Sequence, residues 1–208
     1  EASLPFFTRP LAPPAAEWRQ VSIDQLLQFF RNPCRVLLRR RLNLALSVAD
    51  EELLDDEPFL ADYRGRRAFA QRILPLLLAG RPQAQVRELA LAGNEYPAGR
   101  LGERLIDEEL ARLQGFADEL APQLAIPPLP PVHAAFDCPL AGEPWQLVGV
   151  LGDLRPTGLL RYRYDELRVA DRLAGWIGHL FLCAAAPQGI RLETRWHARD
   201  GGFSLQPC

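Results

Sequence analysis

The chain has 208 residues, 48% of them hydrophobic and 24% charged, proportions that fit a folded domain and exclude a disordered one. A formal net charge of −2 excludes a surface that is basic all over, so any contact with nucleic acid must rest on a local patch. All 24 basic residues are Arg, and there is no Met, as expected of a segment of a longer chain.

Cys34, Cys138, Cys183 and Cys208 lie dozens of residues apart with no C-x-x-C spacing. That pattern suggests no zinc site, no iron–sulfur cluster and no other cofactor, and reads as free thiols in a reducing compartment. The N-terminus is Pro-rich and carries Glu1 and Arg9 instead of an apolar signal region. The most apolar runs, 73–80 and 176–186, fall short of the ~20 residues that span a bilayer. A cytoplasmic protein without a membrane partner is expected.

In chain order, residues 1–17 hold Pro5, Pro10, Pro13 and Pro14 and read as an extended arm or linker. Ser22 with Gln25 is a capping-box signature, and Ile23, Leu26, Leu27 and Phe30 form one apolar stripe behind it. Asn32-Pro33 ends that helix and starts a second one, 34–42, which carries Arg35, Arg39, Arg40 and Arg41. An acidic run follows, from Asp50 to Glu57. The Arg face fits either phosphate or a plain solvated surface. Residues 62–79 show a helical period, with a kink expected at Pro75, and 82–92 form a short helix. Residues 94–102 are a loop, and a long helix occupies 103–120 until Pro122 ends it. The PPLPP run at 127–131 divides a helical part, 18–126, from an α/β part, 127–208.

From Val132 the period becomes extended. Strands at 132–138, 145–151 and 159–164 are expected to form an antiparallel meander. A helix at 168–185, a strand at 190–196, a turn at Asp200-Gly201-Gly202 and a return strand at 203–205 complete the chain. The fold class expected is α/β (α+β).

The order helix, three strands, helix, strand resembles the core of the PD-(D/E)XK, or restriction-endonuclease-like, superfamily. The stretches DDEPFLADYRGRR, LALAGNEYPAGRLGE, GVLGDLRPTGLLRYRYDEL and WIGHLFLCAA are similar to blocks of the RecC family, the gamma subunits of exodeoxyribonuclease V. The likeness runs from Trp18 to Leu205. It implies the C-terminal, degenerate nuclease-like domain of such a subunit, with family members continuing past this segment. It further implies work with RecB-like and RecD-like subunits in DNA repair and recombination, through strand guidance and duplex splitting, without catalysis by this domain.

The departures from an active nuclease are specific. Active relatives show G-x-I-D at the first strand end, where this chain has Gly152, and D-Y-K on the next strand, where it has Arg161-Tyr162-Arg163. Gln and Tyr on the following helix are replaced by Ile177 and Phe181. A guanidinium about 4 Å from a divalent cation is repelled by roughly 8 kcal/mol at an effective dielectric of 20. No Lys is present to replace the catalytic one, and Arg does not release its proton.

Two readings of the arginines follow. Arg161 and Arg163 project from one face of a strand and, with Arg155, Arg35, Arg39 and Arg40, are candidate DNA contacts. Alternatively, Arg161 and Arg163 pair with Asp153, Glu143 or Glu166 and replace the metal structurally. A relocated active site built on Asp153, Asp137 and Asp165-Glu166 is opposed by strand alternation, which points Asp153 to the other face. The first turn of the next helix accounts for Asp165-Glu166 more simply. A third possibility is a docking domain that never touches DNA.

Overall fold

The computed structural model describes residues 15–44 and 62–207. The acidic run, most of the Pro-rich arm and Cys208 lie outside the described residues. A 3-10 turn at Ala16–Arg19 leads into a strand absent from the sequence reading, β1 (Gln20–Ser22). Three residues are too few to show an alternating period.

Ser22 then opens α1 (Ile23–Arg31): its Oγ accepts the Gln25 N–H at 3.1 Å, and Gln25 Oε1 accepts the Ser22 N–H at 3.2 Å. Asn32 Oδ1 accepts the Arg35 N–H at 2.9 Å and caps α2 (Pro33–Arg41), with Pro33 in the first turn. Ile23 is buried, and Leu26 and Leu27 pack on the core behind it. Phe30, expected on the same stripe, is 49% exposed, because the core contacts of α1 stop at Leu27. Its ring meets Phe29 edge-on instead.

Helices α3 (Tyr63–Leu78), α4 (Gln83–Leu91) and α5 (Gly99–Leu124) pack together. Phe69, Ile73, Leu113 and Leu120 are fully buried among them, each contributing on the order of 1.5–3 kcal/mol. Asp62 caps α3 by accepting the Gly65 N–H at 2.7 Å. Two sequence expectations about the long helix need correcting here. Helix α5 starts four residues before Glu103 and runs through Pro122, since Pro removes one amide but leaves the next turn bonded, Ala125 N–H to Ala121 O at 2.9 Å.

Strands β2 (Val132–Asp137) and β3 (Gln146–Leu151) pair antiparallel, and β1 joins the other edge of β3 in parallel. The expected continuous meander does not form. The chain bends after Leu151, where Asp153 takes φ +56°, and β4 (Leu154–Arg155) enters a second sheet. There β4 pairs with β5 (Gly158–Arg163) across Pro156-Thr157, and the strand order is β4-β5-β6-β7. Helix α6 (Val169–Ala185) supplies the crossover that the parallel pair of β5 with β6 (Thr194–Ala198) requires.

Strand β6 starts later than expected because Arg191 bonds to the β4–β5 turn and Glu193 to the start of β5: Arg191 N–H to Pro156 O, and Leu159 N–H to Glu193 O. β7 (Gly201–Leu205) returns antiparallel, and its turn is Arg199-Asp200, one residue earlier than expected. The result is a mixed α/β (α+β) fold with two small sheets, as the element order predicts.

The second core gathers Ile23, Leu151, Leu154, Leu159, Ile177, Phe181 and Leu182. A Cβ on Gly149 would stand 2.8 Å from both Ile23 Cγ2 and Phe181 Cζ, so α1 and α6 close on this strand only over a glycine. Tyr164, just past β5, belongs to the other core and meets Phe116 edge-on at 5.3 Å. At the far end of that sheet, His197 Nε2 lies 2.8 Å from Gln123 Nε2 on α5.

Burial pushes the His197 imidazole below its ordinary range, Arg195 adds to the effect, and Glu119 opposes it. The folded state therefore binds this proton less readily than the unfolded chain. Stability contributed here is complete above about pH 6.5 and falls as the pH drops through the lowered value. Urea midpoints at pH 7 and pH 5 should differ in the wild type, and the difference should shrink in His197→Gln. An equal pH response in both proteins would contradict this account.

Candidate functional site

The bend at Gly152-Asp153 places the sequence-predicted residues differently from a flat strand. With φ in the left-handed region, Asp153 breaks the alternation, and its carboxylate comes within 3.6 Å of Arg161 Nη1. Both side chains are well exposed, at 40% and 64%, so the pair holds weakly, by about 1 kcal/mol or less. Gly152 offers no side chain at all.

Arg163 is held far more firmly. Its Nη2 donates to Asp171 Oδ2 at 2.6 Å and to the Glu166 carbonyl at 3.2 Å, and its Nε faces Asp165 Oδ2 at 3.8 Å. Asp171 sits in the first turn of α6, where the same Oδ2 also accepts the Arg168 N–H at 2.9 Å. Asp165 accepts the Tyr63 hydroxyl at 2.5 Å and the Glu166 N–H at 2.8 Å, and Arg168 Nη2 lies 3.4 Å away. Arg168 also lies over the Tyr63 ring, 5.0 Å from its centroid. Burial alone would raise the Asp165 carboxyl, but the Tyr63 and Glu166 hydrogen bonds, with Arg163 and Arg168 beside it, hold it below the usual range.

Neither Glu143 nor the Glu166 carboxylate meets the hairpin arginines. Glu143 pairs with Arg19 at 2.9 Å, and Glu166 pairs with Arg199 at 2.7 Å. Asp165 does not lie in α6, which begins at Val169; it is one of the carboxylates around Arg163. Arg155 turns inward and donates to the Ile126 carbonyl after α5, with its Nε buried and without a hydrogen bond. Ile177 and Phe181 are both buried, Phe181 edge-on to Phe136 at 5.1 Å, so this face of α6 has become core. Arg35, Arg39 and Arg40 are exposed and line a separate groove between α1 and α2.

A divalent cation does not fit the hairpin. Gly152 has no donor side chain, Arg161 presents a guanidinium, and the nearby acids already serve arginines. Among the described residues no group of three or more Asp, Glu, His or Cys side chains could hold a metal ion.

Two features escaped the sequence reading. Asp171 lies eight residues past Arg163; its signal was an acid three residues into the helix, hidden because Arg168 occupies the cap. His179 is buried on α6, between the Thr194 hydroxyl at 3.1 Å and the Gln206 carbonyl at 2.8 Å. A carbonyl only accepts, so Nε2 carries the proton and Nδ1 accepts from Thr194.

A family model described as the RecC C-terminal domain matches residues 18–204. The RecBCD enzyme subunit RecC of Escherichia coli is 28% identical over 202 residues, covering 97% of this chain and 17% of that protein. The subunit of the same name from Buchnera aphidicola subsp. Schizaphis graminum is 24% identical over 171 residues, covering 82% of this chain and 16% of the relative. The chain thus spans less than a fifth of the length of these relatives. With nearly all of its described elements inside the family match, the chain belongs to the RecC C-terminal domain family.

Proposed function

We propose that this domain is a catalytically silent, nuclease-like part of a RecC-type subunit. It acts inside a RecBCD-type helicase and nuclease complex in the cytoplasm, in double-strand break repair and recombination. Its share of the work is to guide DNA strands, to help split the duplex, and to contact RecB-like and RecD-like subunits. The relatives' shared name, RecBCD enzyme subunit RecC, supports the setting.

The observation that carries the silent-site reading is the Arg163–Asp171 pair at 2.6 Å, with Arg161 beside Asp153. Positive charge and its own carboxylate partners stand where active relatives bind a cation. The same pairs favour a structural replacement of the metal over direct DNA contact at this hairpin. Arg155, committed to the Ile126 carbonyl, is likewise assigned to structure.

Linear DNA incubated with the purified chain and Mg²⁺ or Mn²⁺ should remain uncut. Cleavage above background that disappears in Asp153→Asn would overturn the reading, because Asp153 is the acid nearest the lost ligand position.

A further inference from the structure

We propose that the groove between α1 and α2 is a phosphate-binding track for a single nucleic-acid strand. The proposal rests on the reading that this domain works against DNA, and it gives that contact a place away from the nuclease-like hairpin.

The groove has a volume of about 570 Å³ and is lined by Gln28, Arg31, Asn32, Arg35, Arg39 and Arg40, together with Val36. Four guanidinium groups therefore face one concavity, and no carboxylate lines it. All four are exposed. None of them has a side-chain hydrogen bond or ion pair among the described residues, and only the backbone of Arg35 is engaged, by Asn32. Several arginines elsewhere are neutralised by a partner. Arg72, Arg87, Arg112, Arg163 and Arg199 each hold a carboxylate at 3.0 Å or less.

Concentrating four unneutralised like charges on two short helices opposes folding, since neighbours four apart on a helix repel. A polyanion removes that repulsion. Arg35 and Arg39 stand one turn apart on α2, about 6 Å in rise, which makes a row instead of a single pocket. A row suits a repeating anion, and guanidinium forks match phosphate oxygens in pairs. Asn32, which caps the N-terminus of α2, lines the same groove, so the partial positive charge of that helix end lies beside the arginines. Gln28 contributes an amide able to donate to a base or sugar. The volume is that of a small-molecule cleft, so it receives one strand's backbone and not a duplex.

The test compares the wild-type chain with a variant carrying Arg31→Gln, Arg35→Gln, Arg39→Gln and Arg40→Gln. Binding of a fluorescent oligothymidine is followed from low to physiological salt. The log–log salt slope should fall by about 3 in the variant, four contacts at roughly 0.7 each. A control with Arg81→Gln, Arg100→Gln, Arg104→Gln and Arg191→Gln, which changes the charge equally, should keep the wild-type slope. An unchanged slope in the groove variant overturns the inference while leaving DNA contact by the domain intact. Equal losses in variant and control also overturn it, in favour of diffuse attraction. Failure of the wild type to bind any strand overturns both this and the DNA part of the proposed function. Loss of partner-subunit association with an intact slope assigns the groove to a protein surface and sinks the proposal.

Discussion

Gly158→Ala is expected to melt roughly 6–12 °C below the wild type, a loss of about 3 kcal/mol for a chain of this size. Two independent causes act at this position. Gly158 holds φ +118°, a backbone conformation that L side chains rarely adopt. A Cβ there would also stand 2.2 Å from the Glu193 carbonyl oxygen, which is backbone and cannot swing away. That same oxygen accepts the Leu159 N–H at 2.8 Å, just where β5 begins its parallel pairing with β6. Relieving the clash means opening the start of that ladder. Gly189→Ala separates the two causes, because its φ is +76° with nothing within 4 Å of a Cβ. It should lose only the conformational part, about 1 kcal/mol. If both variants melt together, the contact with Glu193 is not what fixes Gly158.

The second large effect is expected at Asp171. Its side chain is only 5% exposed, and one oxygen serves both Arg163 and the backbone of Arg168. Removing it in Asp171→Ala takes from Arg163 its shortest bond and leaves the amide that opens α6 without its acceptor. Breaking a fully buried pair costs about 3–5 kcal/mol, and because Arg163 is a third exposed, about 2–3 kcal/mol is expected. A double-mutant cycle with Arg163→Ala in urea should recover at least about 1 kcal/mol as coupling, and additive losses would refute the pairing. The same cluster predicts acid sensitivity. Because Asp165 is held below the ordinary carboxylate range, its contribution is complete above about pH 4 and is lost as the pH falls through the lowered value. Asp165→Asn should flatten that acid limb.

Much of the fold was legible because local rules carried it. Ser22 with Gln25, and Asn32 with Pro33, mark helix boundaries through bonds that lie within three residues. Helix α6 followed from its apolar period. The rest depended on contacts distant in sequence. Asp153 carries no local sign that it will adopt a left-handed backbone, so one expected meander became two sheets. β1 exists only because β3 stands 126 residues later beside it. Pro122 looked like a helix end, yet a single lost amide does not stop a helix whose remaining turns are packed. The same limit applied to the site. That Gly152 and Arg161 cannot serve as metal ligands could be read directly from residue type. The partners of Arg163 and Asp165 could not, since Asp171 and Tyr63 arrive from two other elements.

Arg163, Tyr164 and Asp165 are consecutive, yet they face different ways. Tyr164 is anchored among the helices α3 and α5, while its neighbours join Tyr63 of α3 to the start of α6. These three residues are therefore a rivet between two cores that otherwise share few contacts. Sideways load applied to the helical layer passes through them to the sheet. The three residues thus serve as a mechanical fastening.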